Sequence, residues 1–175
     1  MSALCHTLVL GGARSGKSRY AEQLVAASGL DRIYVATAQA SDEEMAARIA
    51  EHRRRRANHG WRTVEEPFDL PGALVREAAP GRAVLVECLT LWLNNVLLRD
   101  QDMDALVDRL VGGLPHLSGP VVFVSNEVGL GIVPETALGR RFRDAQGRMN
   151  QSLAAVVPRV VFVAAGLPIA LKETP

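Results

Sequence analysis

Only two cysteines occur in the 175 residues, Cys5 and Cys88, far apart and in no CxxC. That usage excludes a zinc ribbon and a disulfide scaffold, and both thiols read as reduced side chains in or beside apolar runs. Net charge is almost absent as well. Twenty Lys and Arg stand against 19 Asp and Glu, leaving +1, so no general field draws the chain to nucleic acid or an acidic membrane. Any basic function has to be local. No apolar run is long enough to span a bilayer, and no basic leader with a small-residue cleavage site precedes the first glycine turn. The expectation is a soluble, cytoplasmic protein without a nucleic-acid partner or stable membrane insertion. Internal repeats, low-complexity tracts and long linkers are also missing. With 48% apolar residues, a chain of this length buries one sizeable core, so residues 1–175 read as a single domain.

What the chain does have is alternation. Runs rich in β-branched residues lie at Thr7 to Leu10, Ile33 to Thr37, Ala83 to Glu87, Val121 to Ser125 and Val160 to Ala165. They are apolar throughout, as strands covered on both faces are. Amphipathic segments separate them, predicting helices from Ser18 to about Ser28, Ser41 to about Arg56, Leu70 to Ala79, Leu89 to Leu98, Asp104 to Leu114 and Glu135 to Val156. Ser41 and Glu44 have capping-box spacing. The fold class is α/β, a doubly wound and mostly parallel sheet with helices on both faces and ligands at the carboxyl ends of its strands. A closing hairpin around Gly166 to Pro168 places Ile169 to Lys172 on a sheet edge.

The first strand runs into "GGARSGKS", which satisfies G-x-x-x-x-G-K-S through Gly11, Gly16, Lys17 and Ser18 and opens a helix. This is a P-loop. Its glycines let backbone amides turn onto phosphate oxygens, Lys17 brings a cation to the β and γ groups, and Ser18 suits magnesium. The ligand is a nucleoside triphosphate. Glu87 ends "AVLVE" where a magnesium-orienting acid usually stands; it orients the metal through water, contacts the nucleotide, or is an ordinary strand-end acid. A guanine-reading NKxD is absent, since "SNEVG" carries Glu127 in place of lysine, and so is LSGGQ.

Two readings stand for the second helix. At helical spacing Arg48, His52, Arg55 and Arg56 share a side bordered by Met45 and Ile49. Such a face is usually solvated. Alternatively, the guanidinium groups disfavour imidazolium and keep His52 neutral, the form that attacks phosphorus, while the same arginines neutralise charge on a phosphate in flight. In the last helix Phe142, Met149 and Leu153 form an apolar stripe that reads as core or subunit contact. Arg141, Asp144 and Arg148 lie on another face, either salt-bridged and solvated or in contact with substrate or an interface. Gly129 and Gly131 either permit a loop adjustment or mark ordinary turns.

Six ordered blocks, "GGARSGKS", "VATAQASDEEMAARIAEHRRRR", "WRTVEEP", "VLVECLTLWLNN", "SNEVGLGIVPE" and "FRDAQGRMNQ", together resemble the bifunctional adenosylcobinamide kinase and adenosylcobinamide-phosphate guanylyltransferase family, from about Leu8 to Lys172. The resemblance implies two reactions. A γ-phosphoryl passes from ATP or GTP to the aminopropanol hydroxyl of adenosylcobinamide; then GMP passes from GTP to adenosylcobinamide phosphate through a covalent GMP-histidine, releasing pyrophosphate. The histidine of the family's "RI-x-x-H" block falls on His52, which joins Lys17 as a catalytic residue. Nucleotide contacts implied by the family fall on Gly11, Gly12, Ala13, Arg14, Ser15, Gly16, Lys17 and Ser18, on Ala36, Thr37 and Ala38, on Arg53, Arg54, Arg55 and Arg56, and on Glu65 and Glu87. Magnesium as cofactor and a homotrimer are implied likewise. A P-loop kinase without guanylyl transfer and an ATP-driven nucleic-acid module using Arg53 to Arg56 are the alternatives; label transfer from α-labelled GTP and salt-sensitive nucleic-acid binding separate them.

Overall fold

A computed structural model describes residues 4–39, 50, 54 and 59–174. The helix expected from Ser41 to Arg56, with its capping box and His52, lies outside the described residues apart from Ala50 and Arg54. Strands β1 (Thr7–Gly11), β2 (Asp31–Ala36), β3 (Trp61–Glu65), β4 (Arg82–Glu87), β5 (Val121–Asn126), β6 (Arg159–Ala164) and β7 (Leu167–Glu173) form one sheet in the order β3-β2-β4-β5-β1-β6-β7. Neighbours are parallel except β6 and β7, which form the expected antiparallel hairpin at the edge. Helices α1 (Lys17–Ala27), α2 (Leu70–Glu77), α3 (Leu89–Leu98), α4 (Met103–Gly113) and α5 (Ala137–Val156) make the connections.

Alternation along each strand distributes the apolar runs to two cores. Leu8, Leu10, Val84, Val86 and Phe123 face α2 to α5, where Leu74, Trp92, Leu93, Leu110, Met149 and Leu153 meet them. Val9, Leu85, Val122, Val124 and Val161 point the other way, onto Ala21 and Val25 of α1. Burying a side chain of this size contributes about 1.5–3 kcal/mol, so the central strands anchor both layers. The apolar stripe of α5 is core: Met149 and Leu153 are buried and Phe142 packs against them.

Strand β3 departs from the sequence expectation, which placed no strand there. It pairs with β2 from Arg32↔Trp61 to Ala36↔Glu65, yet its residues are exposed or half-buried. An edge strand with one neighbour lacks the continuous apolar run by which the inner strands announce themselves. No described helix is long and apolar enough to cross a membrane.

Candidate nucleotide site

Three of the helices start with side-chain caps. Asp69 accepts from the Gly72 amide at the head of α2, Asp102 from Ala105 at α4 and Thr136 from Gly139 at α5. Helices α1 and α3 differ: their N-caps, Gly16 and Cys88, contribute no side-chain hydrogen bond. Both begin at the P-loop edge. The amides at the head of α1 thus face outward with the positive end of the helix dipole, as an anion site requires.

The P-loop achieves this geometry through left-handed backbone, φ 55° at Arg14 and 94° at Gly16. Glycine at 16 meets that requirement without a Cβ penalty. Lys17 is buried and donates from Nζ to the Gly12 carbonyl at 3.0 Å. Burial pulls its ammonium below the usual 10.5, and the neighbouring Glu87 carboxylate partly restores it. Ser18 Oγ donates to Glu87 Oε1. The strand-end acid thus bonds the P-loop hydroxyl and acts electrostatically on the P-loop cation, across the width of β5. Ser15 Oγ is buried with no hydrogen-bond partner among the described residues. Gly12 and Ser15 are half-buried, whereas Ala13 and Arg14 are exposed at the loop's tip.

Register brings the next group to the same edge. Ala36 pairs with Glu65 on one side and Glu87 on the other. Glu65 is exposed there, while Ala36 and Ala38 are half-buried. Thr37 is fully buried, and each of its polar groups already has a partner: its N–H donates to Glu87 O at 3.1 Å, its hydroxyl donates to Cys88 O and accepts from Cys88 N at 2.8 Å, and its carbonyl accepts from Asn95 Nδ2 at 2.8 Å. Thr37 consequently ties the end of β2 to the β4–α3 junction. The Cys88 thiol in the same knot is pushed up to about 11, chiefly by burial and then by Glu87, so it is inert. Arg54 is exposed; His52, Arg53, Arg55 and Arg56 lie outside the described residues.

A polar cluster behind the loop escaped sequence reasoning. Ser125 Oγ donates to Asn150 Oδ1 at 2.7 Å, Gln146 Nε2 donates to Ser125 Oγ at 2.8 Å, and Asn150 Nδ2 donates to Asn126 O at 3.2 Å. Asn126 N donates to Thr90 Oγ1, and Glu127 N to Gly11 O. Asn126 itself pairs with Gly11. These bonds fix where β5 ends beside the P-loop. The signal was present: Gln146 and Asn150 stand four apart on the stripe shared with Met149 and Leu153, polar residues where apolar ones were due.

A family model for cobinamide kinase / cobinamide phosphate guanyltransferase matches residues 7–171. The chain belongs to this family. It is 54% identical over 170 residues to the bifunctional adenosylcobalamin biosynthesis protein CobP of Pseudomonas aeruginosa, spanning 96% of this chain and 98% of that one. The bifunctional adenosylcobalamin biosynthesis protein CobU of Escherichia coli is 42% identical over 180 residues, covering 94% and 98%. Among solved structures, the RadB recombinase superposes with TM-score 0.53 at 18% identity, over 91% of this chain and 74% of the other. Flagellar accessory protein FlaH from Methanocaldococcus jannaschii does so with TM-score 0.54 at 10% identity, over 97% and 79%. Those two likenesses concern the fold, which is that of the P-loop NTPases. The family supplies the chemistry: its members are enzymes of phosphoryl and guanylyl transfer.

Proposed function

We propose that this chain acts as one domain running both transfers of its family from the P-loop edge, phosphorylating adenosylcobinamide with ATP or GTP and then moving GMP from GTP onto the product. The observation that carries the reading is the convergence of Lys17, Ser18 and Glu87 across 69 positions of sequence. Three groups suited to a triphosphate meet where α1 presents its amides.

For the kinase step, Gly11 to Ser18 hold the triphosphate by backbone amides. Lys17 moves from the Gly12 carbonyl to the β and γ oxygens, and the substrate hydroxyl attacks γ-phosphorus in line. The Ser18 hydroxyl and Glu87 carboxylate are hard oxygen donors that fit magnesium, which when bound supplies charge neutralisation at those oxygens. Among the described residues no group of three His, Cys, Asp or Glu could cage a metal, which suits an ion that keeps waters and phosphates as its other ligands.

For guanylyl transfer, a ring nitrogen of neutral His52 attacks the α-phosphorus of GTP, forming a P–N bond as the P–O bond to pyrophosphate breaks. A phosphate oxygen of the cobinamide phosphate then attacks the same phosphorus, the P–N bond breaks and imidazole is regenerated. Arg53, Arg54, Arg55 and Arg56 offset the charge on the phosphates, and Glu65 closes the nucleotide's far side. The two steps address different phosphorus atoms, so the triphosphate or the His52 segment shifts between them. Assembly as a cytoplasmic homotrimer completes the proposal, supported by the exposed Leu167, Ile169 and Leu171 on β7 and tested by sedimentation.

Lys17→Ala removes the charge placed for the γ-phosphate and is expected to lower kinase turnover by roughly 10²-fold or more. Retained turnover in a phosphoryl-transfer assay removes the P-loop from the mechanism.

A further inference from the structure

The turn of the C-terminal hairpin lies against the P-loop. Ala164 and Leu167 pair with each other, so Ala165 and Gly166 alone form the turn between β6 and β7. Both have positive φ, 51° and 80°, the pattern of a type I′ turn, whose twist matches a two-residue hairpin. Alanine adopts that conformation with strain, and the turn holds it nonetheless. The Gly166 N–H points out of the hairpin and donates to the carbonyl oxygen of Ser15 at 2.8 Å. The approach is close. A Cβ on Gly16 would lie 3.1 Å from Gly166 Cα, and one on Gly11 would lie 2.6 Å from the Val163 carbonyl.

A trans peptide is planar, with its C=O and N–H pointing to opposite sides. A hydrogen bond that draws the Ser15 carbonyl toward the hairpin therefore turns the Gly16 N–H away from it. We propose that the β6–β7 turn positions the nucleotide: the Gly166–Ser15 hydrogen bond sets the Ser15–Gly16 peptide plane and thereby aims the Gly16 amide at phosphate oxygens. Gly166 is a positioning residue, since it acts through the loop and not on the substrate. The same bond fixes the segment carrying the buried Ser15 hydroxyl, a polar atom that a phosphate or its hydration shell satisfies. This inference rests on the P-loop as the triphosphate site. It adds that the site is incomplete without a hairpin from the opposite end of the chain.

The test is titration of the full chain with N-methylanthraniloyl-GTP, followed by fluorescence, with Lys17→Ala in parallel to report on the P-loop itself. Gly166→Val puts a β-branched side chain at a positive φ and breaks the turn. Ala165→Asn keeps Gly166 and supplies the residue that a type I′ turn favours. Lys172→Ala removes the bonds from Lys172 Nζ to the Ala154 and Ala155 carbonyls, farther along β7, and controls for a looser hairpin. Gly166→Val is expected to weaken nucleotide binding about threefold to tenfold, the worth of one hydrogen bond, with the KM for cobinamide at saturating nucleotide unchanged and Lys172→Ala binding as wild type does. Ala165→Asn is expected to tighten binding about twofold by preorganising the turn, and it decides the matter if Gly166→Val fails to fold; unchanged or weaker binding then overturns the proposal. Equal weakening by Lys172→Ala overturns it too. So does wild-type affinity in folded Gly166→Val when Lys17→Ala has lost binding, which leaves the P-loop reading intact. Intact binding by Lys17→Ala strikes the P-loop reading and the hairpin's role together.

Discussion

Thr37 is tied into the fold through its side chain. Its hydroxyl is both donor and acceptor to Cys88 inside the fold. Thr37→Val keeps the shape and strands the Cys88 amide and carbonyl, at an expected cost of roughly 1–3 kcal/mol in a urea melt; a neutral result contradicts the assignment. His6 makes a second case. Its Nδ1 accepts from the Val121 amide at 3.1 Å, and burial holds its pKa below 6.5 despite a hydrogen bond to the Leu114 backbone. The unfolded chain then binds the proton more tightly than the folded one. Stability is complete above about 6.5 and falls as pH drops from there toward the lowered value. The urea midpoint should decrease between pH 8 and pH 5.5, and the decrease should shrink in His6→Gln. An equal decrease in both contradicts it.

Among the strands and helices, those with continuous apolar runs or clear amphipathicity were legible from residues alone. Helix α3 falls at Leu89–Leu98 as expected, and α1, α4 and α5 differ by one or two residues at their ends. Strand β2 starts at Asp31, two residues ahead of its apolar run, because ladder hydrogen bonds continue where side chains turn polar. Strand β3 was missed because "WRTVE" has one partner strand and little burial to mark it. Within the site, the P-loop was plain because its chemistry is local in sequence. The buried Gln146–Ser125–Asn150 cluster and the Gly166–Ser15 bond were not, since each joins segments brought together only by folding. The cap of α4 gives a test at this scale: Asp102→Ala should cost about 1 kcal/mol by its loss, read by thermal melting, with nucleotide affinity unchanged. A changed affinity would place α4 in the site.

The order of the sheet explains why the site forms where it does. Strands β1 and β5 are neighbours, yet the helices that follow them, α1 and α5, pack on opposite faces. A crevice opens at the carboxyl ends between them, as in other doubly wound sheets. The P-loop lies on one side and Asn126 on the other, with Glu87 reaching in from β4 across β5. Family membership gives phosphoryl and guanylyl transfer; the proposal places both in this crevice, with a covalent carrier for the guanylyl group. His52 is the residue proposed for it. Incubating wild type and His52→Ala with α-labelled GTP tests this most directly: the account predicts an acid-labile label on wild type, none on the variant, and phosphoryl transfer retained in both. Equal labelling of the two proteins would contradict it.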